Sequence, residues 1–120
     1  MNTHADEMTK RTRYFALRVI RPVESLPMTR TAEVLGKQLL RCSTSVGANH
    51  RASCRAKSQA DFIAKMGIVE EEADEAIYWI ELLIETDLVK KERVANLLDE
   101  ASQIVAIVVT SIRTARTHKK

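Results

Sequence analysis

Glycine, proline and aromatic residues are all scarce in this chain of 120 residues. It contains three Gly and two Pro, and Phe, Trp and Tyr together make up 4% of the sequence. So few turn-forming residues allow few turns, and so few aromatic residues argue against a β-sheet core. The composition therefore predicts one domain of long helices joined by short connections.

Cysteines and long hydrophobic runs are also scarce. The two cysteines, Cys42 and Cys54, predict free thiols rather than a disulfide framework. No run of eighteen apolar residues occurs, and the first residues do not resemble a secretory signal. We therefore expect a soluble, cytoplasmic protein that has no membrane partner.

Four segments repeat apolar residues every three or four positions, as the buried face of a helix requires. They cover approximately residues 10–25, 30–56, 59–86 and 91–115. The buried seam of the second helix is expected at Ala32, Leu35, Leu39, Cys42 and Val46 and should continue to Asn49 and Ser53. Arg41, Ser45 and Asn49 are expected to form a polar ladder along this helix, and Ser58 with Asp61 is expected to cap the third helix. Four helices with short connections predict an all-α, antiparallel, up-down-up-down four-helix bundle that forms a single domain over residues 1–120.

The two outer helices carry further expectations. In the first helix, the spacing predicts that Tyr14, Leu17 and Ile20–Arg21 mark the buried side, widened by Phe15 and Val19. Residues 1–8 are expected to be frayed and the basic tail after the last helix to be mobile. The last helix is apolar around much of its circumference, which predicts a second partner for it.

The net charge of +3 conceals a segregation of sign along the chain. Residues 1–57 carry eleven Lys/Arg and four Asp/Glu, whereas residues 58–88 carry one Lys and nine acids. Residues 89–120 return to seven Lys/Arg against three acids. Basic helices are therefore expected to flank an acidic helix, within one chain or between subunits.

The stretch RCSTSVGANHRASCRAKS, residues 41–58, contains the residue types of a phosphate loop or a metal site. Gly47 stands alone and lacks the companions that phosphate loops require, so we expect it to let a neighbouring helix approach, together with Ala48 and Ala52. His50 and Cys54 share a helical face, but Cys42 lies about 12 Å further along the axis. We therefore expect no metal and no cofactor here.

The acidic run EEEADE, residues 70–75, is the best enzymatic candidate. Glu72 and Glu75 could hold Mg²⁺ in a nucleotide hydrolase, which needs a second acidic pair on the next helix. Asp99 and Glu100 are adjacent, so their side chains diverge by about 100°. The favoured interpretation is that carboxylates of the third helix pair with arginines of the first two, and we expect no catalytic residue.

Cationic side chains predict a different activity. The candidates for binding nucleic-acid phosphates are Arg11, Arg18, Arg41, Arg51, Arg55 and Lys57. Arginine predominates among them, and its planar guanidinium suits bidentate contacts to phosphate or carboxylate. The alternative for each residue is a solvated helix face, so the prediction depends on the basic half-chain as a whole.

Three short patterns between Gln38 and Leu83 make the chain similar to a known family. The pattern Q-L-x-R-S-x-x-S-x-x-x-N is matched by Gln38, Leu39, Arg41, Ser45 and Asn49. The pattern S-x-x-D-F is matched by Ser58, Asp61 and Phe62. The pattern E-x-x-E-x-x-Y-W is matched by Glu72, Glu75, Tyr78 and Trp79. On these residues the chain resembles the bacterial four-helix-bundle family, also called the ribosomal protein S23-like or ribosomal-RNA intervening-sequence protein family.

The resemblance implies a four-helix bundle that assembles as a ring, commonly a homopentamer. Some members of the family are encoded inside large-subunit ribosomal RNA genes. The related accessory variability protein of diversity-generating retroelements is a basic pentamer that engages nucleic acid and a reverse transcriptase. The chain departs from the pattern at Cys42, where a Ser is usual, and at Ala52, where relatives often carry Glu, which puts any ion pair there in doubt.

Together these observations predict a non-enzymatic homo-oligomer, a pentamer by resemblance, that binds RNA, DNA or a nucleoprotein partner through its basic faces. The first alternative is a purely structural or adaptor oligomer whose arginines form ion pairs between subunits. The weaker alternative is the Mg²⁺-dependent nucleotide hydrolase.

Overall fold

The computed structural model describes residues 3–118, which form four α-helices and no β-strand. The helices are α1 (Thr3–Glu24), α2 (Arg30–Ser53), α3 (Gln59–Glu85) and α4 (Lys91–Thr117). Thr29 caps α2 by accepting a hydrogen bond from the Ala32 N–H, and Ser58 caps α3 in the same way from Asp61. The predicted all-α fold class is confirmed.

Contacts between the helices show that neighbours along the chain run in opposite directions. Arg41 of α2 contacts Glu72 of α3, whereas Arg51 lies beside Lys65, so numbers rise along α2 as they fall along α3. Positions 12 and 23 of α1 lie beside positions 47 and 36 of α2 in the same sense. The molecule is a rod of 52 × 22 × 21 Å, as an up-down-up-down bundle of such helices requires.

The core lies along the rod axis and is mostly aliphatic. The seam predicted for α2 is buried at Ala32, Leu35, Leu39, Cys42 and Val46. The fully buried residues of α3 include Met66, Val69, Ala73 and Ile80, and those of α4 include Val94, Leu97, Ala101, Ile104, Val108 and Ile112. Burial of these side chains removes apolar surface from water and supplies the main driving force for folding.

The prediction for α1 was wrong about its buried side. Tyr14 is 62% exposed and Leu17 is 57% exposed, whereas Phe15 and Val19 are fully buried. The buried stripe starts at Met8, continues through Thr12, and repeats at steps of four and three. The expected helix start near residue 10 excluded Met8. Without Met8, the apolar stripe through Tyr14 and Leu17 is as long as the buried stripe through Phe15 and Val19.

Helix boundaries differ from the expected ones mainly at the ends of α1 and α2. Residues 3–8, which were expected to be frayed, belong to α1 in this structure, and Asp6 stabilises that first turn because carboxylates favour helix N-termini. Helix α2 ends at Ser53 rather than 56, and α4 continues to Thr117. Met1, Asn2, Lys119 and Lys120, where further mobility was predicted, lie outside the described residues.

Helix α4 is long and apolar enough, by length and composition alone, to cross a membrane. Its buried side chains pack into the bundle core in this structure. The side chains of Ile107 and Val109, which lie off the core face, are only partly buried. The predicted excess of apolar surface on α4 is therefore present.

Candidate nucleic-acid interface

Arg11 is held by carboxylate and amide groups of α4. Its Nε donates to Glu100 Oε2 at 2.6 Å and its Nη2 donates to Glu100 Oε1 at 2.9 Å, a bidentate pair. A further hydrogen bond reaches the side-chain oxygen of Gln103. Arg11 was predicted as a phosphate contact, but its guanidinium is occupied by α4. It also pairs with α4, whereas a pair with α3 had been expected.

Arg41 lies at the centre of a surface network that joins α2 to α3. Its Nη1 donates to Glu72 Oε2 at 3.1 Å and its Nη2 donates to Glu75, while its Nε donates to Gln38 Oε1 at 3.2 Å. Trp79 Nε1 donates to Glu75 Oε1 at 3.2 Å. The Trp79 hydrogen bond, followed by Arg41, lowers the pKa of Glu75. The structure thus gathers five motif residues into one contact, and the predicted pairing of α3 carboxylates with an α2 arginine is confirmed.

The other motif residues have local structural contacts. Asn49 Nδ2 donates to the Ser45 carbonyl at 2.9 Å and to Ser45 Oγ at 2.8 Å. Tyr78 is 54% exposed, and its ring meets Trp79 edge to face with centroids 5.0 Å apart. The polar ladder predicted along α2 therefore divides, because Asn49 bonds back to Ser45 while Arg41 turns to α3.

The start of α3 is fixed by Ser58, Asp61 and Lys65. Ser58 Oγ accepts from the Asp61 N–H at 3.0 Å, while Asp61 Oδ2 accepts from the Lys57 N–H at 3.0 Å. Lys65 Nζ donates to Asp61 Oδ1 at 2.6 Å. The hydrogen bond from Lys65 is the main reason why the pKa of Asp61 is lowered. Ser58 and Asp61 form the predicted cap, and Phe62 packs against the core next to it.

The remaining predicted cations lack such partners. Arg51, Arg55 and Lys57 are exposed and form no ion pair within residues 3–118. Arg51 and Arg55 line a shallow groove of about 390 Å³ together with Lys65. Arg18 differs from them, because its guanidinium carbon lies 5.6 Å from the Tyr14 ring centroid in a cation–π contact.

Two further arginines, Arg113 and Arg116, lie at the same end of the bundle on α4. They are exposed, and a hydrogen bond from Gln59 to the Ala115 carbonyl ties this end of α4 to the start of α3. Arg116 lies in the basic tail, after residue 115, that was expected to be mobile. The up-down topology would have placed them here, because it brings the last turns of α2 and α4 to one end. We call the set Arg51, Arg55, Lys57, Arg113 and Arg116 the basic end.

The small residues of α2 have two different surroundings. A Cβ at Gly47 would lie 3.5 Å from Thr12, which shows that α1 passes close to this position, as predicted. Ala48 and Ala52 instead line the groove beside Arg51, so the prediction that they admit a neighbouring helix was wrong. Their short side chains leave that groove open.

The buried polar groups of α2 do not form a metal site. His50 is 4% exposed and Cys54 is exposed, and residues 3–118 contain no cluster of three His, Cys, Asp or Glu side chains suited to a metal ion. Burial lowers the pKa of His50, and it raises the pKa of Cys42 to about 12. The core seam was expected to reach Asn49, but it passes through His50 instead, whose Nδ1 lacks a hydrogen-bond partner.

The carboxylates considered for Mg²⁺ are separated by their partners. Glu72 and Glu75 bind Arg41, whereas Asp99 accepts a hydrogen bond from Gln103 at 2.7 Å on α4. Within residues 3–118, these three carboxylates do not form a group that could hold a metal ion. The geometry therefore gives the hydrolase alternative no support.

The fold and these contacts define an all-α bundle whose charged groups form ion pairs at its flanks and a free cationic surface at one end. Residues 5–110 match the family model described as 23S rRNA-intervening sequence protein, and the chain belongs to that family. A crystal structure of a protein with unknown function from the S23 ribosomal protein family of Bacteroides thetaiotaomicron is similar to it. The two are 34% identical with a TM-score of 0.82, over 88% of this chain and 97% of the other. No curated protein matches the chain significantly.

Proposed function

We propose that the protein is a non-enzymatic, cytoplasmic homo-oligomer, a pentameric ring, that binds structured RNA or DNA through its basic end, alone or with a protein partner. One observation carries the proposal. Arg51, Arg55 and Lys57 are exposed without a carboxylate, although other arginines of the same chain are paired with carboxylates. Unpaired arginines are free to make bidentate contacts with phosphate oxygens.

The shape of the basic end fits a phosphate backbone better than a small ligand. Its groove is shallow and open, and it is lined by Arg51 in the last turn of α2 and by Arg55 just after that turn. Binding to such a surface would depend mainly on charge and would therefore weaken steeply with salt. The family description, which refers to sequences intervening in 23S rRNA, makes RNA the first nucleic acid to test.

A ring of subunits would present several copies of the basic end to one nucleic acid. Copies in a cyclic assembly are related by rotation about one axis, so all basic ends would face the same side. Several weak contacts to one nucleic acid would then raise the overall affinity by avidity.

The test is a titration of a fluorescent RNA hairpin with the protein, followed by anisotropy at several salt concentrations. We expect Arg51→Gln/Arg55→Gln to weaken binding about tenfold at low salt and to reduce the salt slope by about 1.4 to 1.8. The matched control is Arg30→Gln/Lys37→Gln, which removes the same charge from exposed positions near the other end of α2.

Two results would contradict the proposal. Wild-type protein that binds neither RNA nor DNA at low salt would exclude nucleic-acid binding. Equal losses in both double variants would show that binding follows total charge rather than the basic end.

The adaptor alternative has one observation in its favour. Arg11 and Arg41 form ion pairs with carboxylates, so two of the six candidate cations have structural contacts, although these pairs lie within the chain and not between subunits. An oligomer of unchanged mass that binds no nucleic acid in the titration would favour this alternative.

A further inference from the structure

The exposed side of α1 combines apolar and cationic residues at helical spacing. Its members are Lys10, Arg13, Tyr14, Leu17 and Arg21, which we call the α1 outer face. Tyr14 and Leu17 are more than half exposed, at 62% and 57%. Arg13 and Arg21 form no ion pair within the described residues. The α1 outer face therefore exposes apolar side chains together with arginines that have no carboxylate partner.

The exposed side of α3 combines an aromatic ring with carboxylates. Its members are Glu71, Asp74, Tyr78, Glu81 and Glu85, spaced three and four residues apart, which we call the α3 outer face. Tyr78 is 54% exposed, and none of the four acids forms an ion pair within residues 3–118. Like charges at this spacing repel one another along a helix, so the face gains stability from any cationic partner.

The two faces are similar in length and match in the order of their apolar and charged residues. The α1 outer face extends over about 16 Å and the α3 outer face over about 21 Å, at 1.5 Å per residue. Each has an apolar centre, Leu17 with Tyr14 on one face and Tyr78 on the other, between charges of one sign. A desolvated apolar centre inside a rim of complementary charges is the usual composition of a protein interface.

The two faces cannot meet within one chain. Helices α1 and α3 make no contact with each other among the described residues, because each packs between α2 and α4 on opposite sides of the bundle. Their outer faces therefore point away from each other. A contact between the α1 outer face of one copy and the α3 outer face of another is heterologous. Such contacts close into a ring when the two faces are inclined to each other, and they continue as an open filament when the faces are directly opposed.

We propose that the α1 outer face of each copy docks on the α3 outer face of the next copy, which makes this head-to-tail contact the subunit interface. This interface depends on the homo-oligomer of the proposed function, and it assigns the two surfaces through which neighbouring copies bind each other. It also separates two sets of cations, because those of α1 serve assembly while those of the basic end stay free for phosphate.

The test uses charge reversal on each face, with mass photometry or sedimentation velocity at micromolar concentration. We expect Arg13→Glu/Arg21→Glu and Glu71→Arg/Glu81→Arg each to weaken self-association at least tenfold and to yield monomers. The quadruple variant, which carries all four changes in one chain, restores complementary charge and should assemble again. All four positions are exposed and unpaired, so circular dichroism and urea unfolding should match the wild type.

The control is Arg51→Glu/Arg55→Glu, which should keep the wild-type mass while it loses RNA binding. A monomeric wild type would remove both this interface and the oligomer of the proposed function. A wild-type oligomer that survives both reversals, or a quadruple variant that stays monomeric, would overturn the interface alone. Loss of RNA binding without a change of mass in Arg13→Glu/Arg21→Glu would assign the α1 outer face to nucleic acid instead.

Discussion

The middle of α2 and the two residues that follow its last turn contain the same types of residue and use them differently. In the middle of α2, Arg41 binds carboxylates of α3 and Cys42 is fully buried. After α2 ends at Ser53, Cys54 and Arg55 are exposed, and Arg55 has no ion pair within the described residues. The difference arises in α3, because Glu72 and Glu75 lie opposite the middle of α2 while Lys65 lies opposite its end. The neighbouring helix therefore decides whether a residue of this segment stabilises the fold or faces a partner.

The largest expected contrast between these two regions is in the stability effect of replacing their cysteines. Cys42 is 0% exposed and its Sγ donates to the Leu39 carbonyl at 3.4 Å. Cys42→Ser places a more polar hydroxyl in the core and should cost about 1 to 2 kcal/mol, measured by urea unfolding. Cys54→Ser, the matched control at an exposed position, should stay within about 0.5 kcal/mol. Similar losses of stability in both variants would show that the two regions do not differ in burial.

The second contrast concerns pH and the buried His50. Burial, with a smaller effect from His4, lowers its pKa from 6.5, so the unfolded chain binds a proton that the folded chain resists. Stability should therefore be lost as pH falls below about 6.5 toward the lowered folded value, while above 6.5 His50 contributes no pH dependence. Urea midpoints measured from pH 7.5 to 5.5 should fall for the wild type.

The control for this prediction is His50→Asn, which cannot titrate in that range. Its unfolding midpoint should change less between pH 7.5 and 5.5 than that of the wild type, whatever its absolute stability. A wild-type slope that persists unchanged in this variant would assign the pH dependence to other groups.

The smallest contrast is between single arginines. Arg41→Gln should lower the unfolding midpoint slightly and move the pKa of Glu75 upward, because one of the groups that lower it is lost. The Trp79 hydrogen bond remains, so the pKa of Glu75 should stay below its ordinary value. An NMR titration of the Glu75 carboxyl checks this, and Arg51→Gln serves as the comparison that should leave both quantities unchanged.

The fold was predictable wherever one apolar stripe had no rival. In α2 the aliphatic residues at steps of three and four form one continuous stripe, so the core positions followed directly. In α1 two stripes compete, one through Tyr14 and Leu17 and one through Phe15 and Val19. Local spacing cannot choose between them, because the choice depends on Met8 and on the helices packed against that side.

The candidate site was predictable as a set of cations but not as a surface. The sequence indicates that Arg11, Arg41 and Arg51 belong to a basic half-chain. It does not indicate which of the three form ion pairs and which remain free. Their separation into paired and free residues depends on the register between helices, which places Glu100 beside Arg11 and Glu72 beside Arg41. Charge segregation alone carries no register information.

The antiparallel path of four helices also brings the first and last turns of the chain together. His4 borders the same groove as Thr114 and Ala115, so residues near both termini lie beside the basic end. A tag fused at either terminus would crowd the cations there. A circular permutant that links the present termini and opens the chain between α3 and α4, at residues 86–90, would carry its new termini at the far end of the rod.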